Sequence, residues 1–257
     1  MTDETSTPAA RIAAQIDARA DFVDCGAALA DIDAAYDAQD AVRAILGPCR
    51  GGLAGRKIAW NGPGQADALG LPGPAIAPLY GALVQASPAT LTTADWSTFF
   101  FEPEIAAVLG TDIAPRPEGY APGDMAPLIA RLHPAFELMD RRRADNPAPF
   151  AAIANGVFNE GLVLGGPGAA PGDVDVAGLH STVRLNGDVI LSKTGAAPMH
   201  PYEAAARIAT HASARGETLR AGDILLCGTH LPPQAEPGPA TLEFDLGPLG
   251  SVKLELI

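Results

Sequence analysis

Cysteine and positive charge are scarce in this chain, and each shortage excludes something. Three cysteines in 257 residues, Cys25, Cys49 and Cys227, are too few and too scattered for a disulfide scaffold or a cysteine-rich zinc site. They fit a reduced compartment. Seventeen Lys and Arg stand against thirty Asp and Glu, a formal net charge of −13. That balance lacks the basic footprint of a nucleic-acid binder and gives no basic patch for an anionic membrane. An anionic small molecule would need a local positive site, from metal or lysine. No apolar run approaches a membrane-spanning length, and the start Met1-Thr2-Asp3-Glu4-Thr5 is unlike a signal peptide. The expectation is a soluble cytoplasmic protein with neither nucleic acid nor membrane as partner.

A hydrophobic fraction of 47% with only 18% charged residues fits a full globular core rather than long disordered tails. Gly 28 and Pro 24 are high counts, so turns and short strands should outnumber long helices. Residues 8–20 are Ala-rich with helical periodicity, and Asp31 to Ile45 repeats it. Ile32, Ala35, Tyr36, Val42 and Ile45 form its expected buried face, Asp31 or Asp33 its cap and Gly47-Pro48 its stop.

Beyond Gly55 short apolar runs alternate with Gly and Pro. These are 56–60, 99–109, 160–164, 181–185, 189–192, 224–227, 241–246 and 251–257, a many-stranded pattern. Asn186-Gly187 predicts a hairpin. Helices are expected over Met125–Leu132 and Tyr202–Ala214, and a flexible turn region at Gly165–Gly172. The expected division is a small helical region over residues 1–70 and a larger β domain over 71–257.

Phe101-Glu102-Pro103-Glu104-Ile105 sets two carboxylates in an apolar stretch. In an extended chain residues i and i+2 share a face, so Glu102 and Glu104 would need a counter-cation or a shared proton. Glu137, in Phe136-Glu137-Leu138, would complete a three-oxygen face for a hard divalent cation. The competing reading is an exposed edge strand marked by Pro103. Lys57, inside the strand-like 56–60 run, is either a desolvated proton carrier of lowered pKa or a surface lysine with a buried stem. Thr194-Gly195 and Thr229 lie in glycine turns that either hold a carboxylate or only stabilise the turn. None of the five histidines shows paired metal spacing; His200, before Pro201, reads as structural, and His230 as either a pocket residue or a satisfied loop residue.

In this order the segments resemble the fumarylacetoacetate hydrolase superfamily, in its 2-keto-4-pentenoate hydratase and 4-oxalocrotonate decarboxylase branch. The resemblance runs from about Asp31 to the C-terminus. It is carried by Asp33-Ala34-Ala35-Tyr36 with Gln39, Gly55-Arg56-Lys57-Ile58, Glu102-Pro103-Glu104-Ile105-Ala106 and Phe136-Glu137-Leu138-Met139-Asp140. Thr194-Gly195-Ala196-Ala197, Ala221-Gly222-Asp223-Ile224 and Cys227-Gly228-Thr229 continue it.

The resemblance implies an α+β fold, a small N-terminal α/β region followed by a mixed β-roll, and a homo-oligomer. It implies Mg²⁺ or Mn²⁺ on Glu102, Glu104 and Glu137, proton transfer by Lys57, and substrate binding at Thr194, Gly195 and Thr229. The implied reaction is hydration of a 2-hydroxy-2,4-dienoate or related 2-oxo acid through an enolate. Decarboxylation is the nearest alternative, then carbon–carbon hydrolysis, or loss of turnover altogether. Three departures stand out: no acidic residue occurs in Ile76–Leu83, Phe100 replaces a usual arginine, and Pro237-Gly238-Pro239 replaces Pro-Gly-Asp.

Overall fold

A computed structural model describes residues 7–24, 29–195, 198–236 and 238–257. Cys25, Ala196, Ala197 and Pro237 lie outside the described residues, and with them part of the glycine-alanine turn. Helices are α1 (Pro8–Asp17), α2 (Ile32–Leu46), α3 (Gln65–Ala68), α4 (Pro122–Met125), α5 (Pro149–Ala154) and α6 (Pro201–Ala214). Strands are β1 (Leu53–Ala59), β2 (Ala75–Tyr80), β3 (Val84–Ala86), β4 (Ala89–Leu91), β5 (Phe99–Leu109), β6 (Ile129–Asp140) and β7 (Asn159–Leu164). The remainder are β8 (Gly166–Pro167), β9 (His180–Leu185), β10 (Asp188–Thr194), β11 (Ile224–Thr229), β12 (Gln234–Ala235), β13 (Ala240–Asp245) and β14 (Gly250–Leu256).

Two mixed sheets organise the chain. The larger runs β2-β1-β11-β5-β6-β7-β3, with β12 beside β5; the smaller runs β10-β9-β13-β14-β4, with β8 beside β14. Side chains alternate between faces, so each strand of the larger sheet serves two environments. Its outer face carries Ile58, Phe101, Phe136 and Leu225, which join Phe244 and Val252 of the smaller sheet and Ala205 and Ile208 of α6 in the main core. Phe101 meets Phe136 edge-on at 5.6 Å, and Phe136 meets Phe244 at 6.2 Å. Each such buried ring contributes about 1.5–3 kcal/mol, which fixes β5 and β6 against the second sheet. The inner face gathers Leu79, Ala106, Ala135, Leu162 and Leu226 into one cluster. Residues from β2 and β7 meet there because the sheet curls into a roll.

The hairpin at Asn186-Gly187 forms with both residues at positive φ (52° and 89°), pairing Leu185 with Asp188. Asp31 caps α2, accepting from Ala34 N at 2.8 Å. The buried face of α2 is Ala35, Tyr36, Gln39, Val42 and Leu46. Ile45, expected inside, is exposed because the i, i+4, i+7, i+11 stripe from Ala35 passes through Leu46.

Met125–Leu132 is not a helix. Helical turns end by Leu128, and β6 begins at Ile129; eleven register positions with β5 fix those residues as strand. Pro103 does not mark an edge, since β5 lies between β6 and β11. The Gly165–Gly172 stretch is also more ordered than a free turn, because Gly166 and Pro167 pair with Ser251 and Gly250. A boundary near residue 70 falls between β1 and β2, which are neighbours in one sheet. No described helix is long and apolar enough to cross a membrane.

Candidate metal centre and active site

Five adjacent strands deliver side chains to one end of the roll. Glu102 and Glu104 leave β5 on the inner face, and register sets Glu137 of β6 directly opposite Glu102. One carboxylate oxygen from each of the three lies within 4.8 Å of the others. Glu104 and Glu137 are buried at 1% and 0% exposure. Lys57 arrives from β1, and its Nζ lies 2.8 Å from Glu137 Oε1. Asn159, opening β7, donates to the same oxygen at 2.9 Å.

A bulge at the end of β11 completes the site. Pairing with β5 shifts between Leu226 and Thr229, so Gly228 N turns from the ladder and donates to Glu104 Oε2 at 2.8 Å. Gly228 holds φ 106°, and a Cβ there would sit 2.4 Å from Asn61 Nδ2. Asn61 itself donates to Cys227 O at 3.1 Å. Thr229 follows, its hydroxyl bonded to Leu231 O. His230 N then donates to Pro103 O at 2.7 Å.

Burial governs the electrostatics. Burial and the Glu137 charge push Glu102 up to about 8, against the pull of Lys57. Glu104 is raised well above the ordinary carboxylate range by burial and by both neighbouring glutamates. Lys57 is not lowered as its strand position suggested. Burial pulls it down, but Glu137, Glu102 and Glu104 outweigh that and hold it above its ordinary value.

The donors fit a hard divalent cation. Glu137 Oε1 is satisfied by Lys57 and Asn159, whereas its Oε2 is buried with no partner. A buried unsatisfied acceptor costs about 1–3 kcal/mol, and a cation among the three glutamates would remove that cost. An all-oxygen donor set favours magnesium, manganese or calcium over zinc.

A cavity of ≈ 680 Å³ opens over these groups, lined by Lys57, Glu102, Glu104, Trp60, Thr229 and His230 among others. Of the other expected site residues, Thr194 is exposed at the end of β10, its Oγ1 3.1 Å from His180 Nδ1. Neither Thr194 nor Gly195 lines the cavity; the preceding Lys193 does. Asp140 closes β6. It is buried and accepts from the backbone N–H groups of Ser97, Thr98 and Arg142 (2.9–3.0 Å), tying the end of β6 to the start of β5. His200 caps α6, accepting from Tyr202 N. His230 is 5% exposed with both ring nitrogens unpartnered, and burial pushes it down to about 4, with the Lys193 charge adding to that. Asn159, Asn61, Arg141 and Lys193 are additions that sequence reasoning did not reach, because each enters through register or loop packing.

The fold recurs in known proteins. A 2-keto-4-pentenoate hydratase of Burkholderia vietnamiensis (strain G4 / LMG 22486) is 29% identical over 203 residues, 78% of this chain and 77% of that protein. A 4-oxalocrotonate decarboxylase from Pseudomonas putida G7, solved with magnesium and adipate, superposes with TM-score 0.88 at 21% identity, covering 99% of this chain and 100% of that one. The same enzyme solved with calcium and acetate gives TM-score 0.87 at 22% identity and the same coverage. Residues 80–252 match the family described as Fumarylacetoacetate (FAA) hydrolase C-terminal, and the chain therefore belongs to the fumarylacetoacetate hydrolase family.

Proposed function

We propose that this protein is a divalent-metal-dependent lyase that hydrates a 2-hydroxy-2,4-dienoate or a related 2-oxo acid. The observation that carries the reading is Glu137 Oε2, a buried acceptor without a partner beside two further glutamates and an enclosed lysine. Glu102, Glu104 and Glu137 would hold Mg²⁺ or Mn²⁺. When bound, the cation supplies Lewis-acid polarisation of a 2-oxo acid and charge stabilisation of its enolate.

The chain's own residues account for the rest. Lys57 keeps a proton beside the carboxylates and is placed to exchange it with the substrate during ketonisation. Asn159 and Gly228 N–H orient Glu137 and Glu104 from behind, which holds ligand geometry before substrate arrives. Thr229 and Trp60 line the space the substrate would fill. The identity to a named hydratase over 78% of the chain supports this reading.

Decarboxylation needs the same recognition of a carboxylate and its 2-oxo neighbour, so binding does not separate the two reactions; product analysis does. The test is a Mg²⁺-supplemented screen of short 2-hydroxydienoic and 2-oxo acids, with product mass and CO₂ both measured. Hydroxy-acid formation without CO₂ is expected. Absence of Mg²⁺ binding by the wild-type protein would overturn the enzyme reading.

A further inference from the structure

Three consecutive residues just before Asn159 hold a left-handed backbone: Gly156, Val157 and Phe158, at φ 64°, 47° and 62°. Glycine takes that conformation freely, whereas a β-branched or aromatic residue is strained in it. Such strain persists only where the surroundings over-determine it. Val157 and Phe158 also line the cavity over the glutamates. The next residue, Asn159, donates to Glu137 Oε1 at 2.9 Å. The orientation of one candidate ligand thus hangs on a turn that these residues would not adopt alone.

Arg142 supplies the restraint. It sits in the run Arg141-Arg142-Arg143, yet it is 1% exposed. Its Nη2 donates to Oδ1 of Asn155, the residue that closes α5 and opens the turn. Asn155 is fixed in its own place by Nδ2 donating to Ala151 O at 2.8 Å. The same guanidinium lies 5.9 Å from the Phe158 ring and 5.9 Å from the Phe22 ring, and those rings meet edge-on at 5.5 Å. One planar group therefore grips the residue before the turn by a hydrogen bond and the residue that ends it by its ring. Its backbone is anchored to β6, the strand that carries Glu137. Arg142 N donates to Asp140 Oδ1 at 2.9 Å, and Asp140 ends β6. Meanwhile Arg142 Nη1 is buried with no partner among the described residues. A buried cation with an unmade hydrogen bond is less stabilising than a well-packed apolar side chain, so packing alone does not account for it.

We propose that Arg142 is a positioning residue for the metal centre: through Asn155 and Phe158 it holds the left-handed turn that sets Asn159 on Glu137. This rests on the reading of the three glutamates as a metal site.

The test is calorimetric titration of the metal-free full chain with Mg²⁺. Arg142→Met keeps an unbranched side chain and removes the planar fork. Its Mg²⁺ affinity is expected to fall about 10–100-fold, the usual effect of losing a group that orients a metal ligand. Adding Val157→Gly, which takes φ 47° without strain, should recover most of that loss. Asn159→Ala should itself weaken Mg²⁺ binding, and Arg142→Met on that background should add little, because both act on one contact. A lower melting temperature with wild-type Mg²⁺ affinity would make Arg142 structural only and overturn the proposal. Losses that add fully in the Arg142–Asn159 pair, or that Val157→Gly leaves untouched, would overturn it too. Should Arg142→Met fail to fold, Arg142→Lys, which keeps the charge without the fork, is read by the same measurements. If the wild type binds no Mg²⁺, the metal reading falls and this proposal with it.

Discussion

Lys57 Nζ lies 2.8 Å from Glu137 Oε1, and the two side chains are 1% and 0% exposed. Removing one member of a buried pair costs about 3–5 kcal/mol because the other charge is left uncompensated. Here the remaining charge would be part of a cluster of three carboxylates, so a divalent cation can replace the lysine electrostatically. Lys57→Met is therefore expected to lower the melting temperature of metal-free protein, and Mg²⁺ should raise it by more than in wild type. Turnover should fall about 10²–10⁴-fold with Mg²⁺ bound, the usual worth of a positioned proton donor. Thermal melts with and without Mg²⁺, alongside rates, check both. An unchanged Mg²⁺-induced shift would show that lysine and metal do not share the same charge balance.

Proton linkage at Glu102 has a definite sign. Its carboxyl is pushed up to about 8 in the metal-free fold, and a ligand must shed that proton to bind a cation. Mg²⁺ affinity should rise with pH and level off above about pH 8, with proton release visible in buffers of different ionisation enthalpy. For stability, a raised carboxyl pKa means the folded state holds more protons than the unfolded chain between the ordinary carboxylate range and about 8. Metal-free stability should thus fall as pH rises through that window, and the Mg²⁺ rescue should be largest at its alkaline end. A pH-independent affinity would remove Glu102 from the ligand set.

Gly228 offers a backbone test of the same site. At φ 106° a Cβ would meet Asn61 Nδ2 at 2.4 Å and Oδ1 at 2.7 Å. Gly228→Ala should cost about 1–3 kcal/mol from the strained backbone and displace the N–H that holds Glu104. Mg²⁺ affinity should drop without loss of any glutamate. Wild-type affinity in the alanine variant would mean the bulge does not orient Glu104.

How far the site was legible in the sequence follows from how each residue reaches it. Glu102 and Glu104 were readable because two residues of one extended chain share a face whatever surrounds them. Glu137 was singled out as a third carboxylate in an apolar stretch, but its position opposite Glu102 is a register fact spanning some thirty residues. The same register explains why the first turn of β6 was misread as helix. An apolar run does not reveal its period when pairing with β5 is what decides it. Asn159 carried no local signal at all, and the position of His230 after Gly228-Thr229 left it open between pocket and loop. One depends on the bulged pairing of β6 with β7, the other on the bulge at Gly228. Lys57 was found, but its pKa was expected to fall, because the three carboxylates that raise it converge only in the fold.

Away from the site, His211 makes the fold sensitive to acid. Its ring packs 4.4 Å from Tyr36, and burial together with the Arg56 and Arg215 charges pushes it down to about 4. Glu217 and Asp40, which also face it, pull the other way without prevailing. A histidine depressed in the fold stays neutral while the unfolded chain takes up a proton near pH 6.5. Its contribution is therefore complete above about pH 6.5 and lost as pH falls toward 4, up to about 3 kcal/mol. His211→Gln keeps a polar ring-sized neighbour for Tyr36 but does not titrate, so its denaturation midpoint should decline less between pH 6.5 and 4.5 than that of wild type. Parallel declines in urea titrations across that range would place the acid sensitivity elsewhere in the fold.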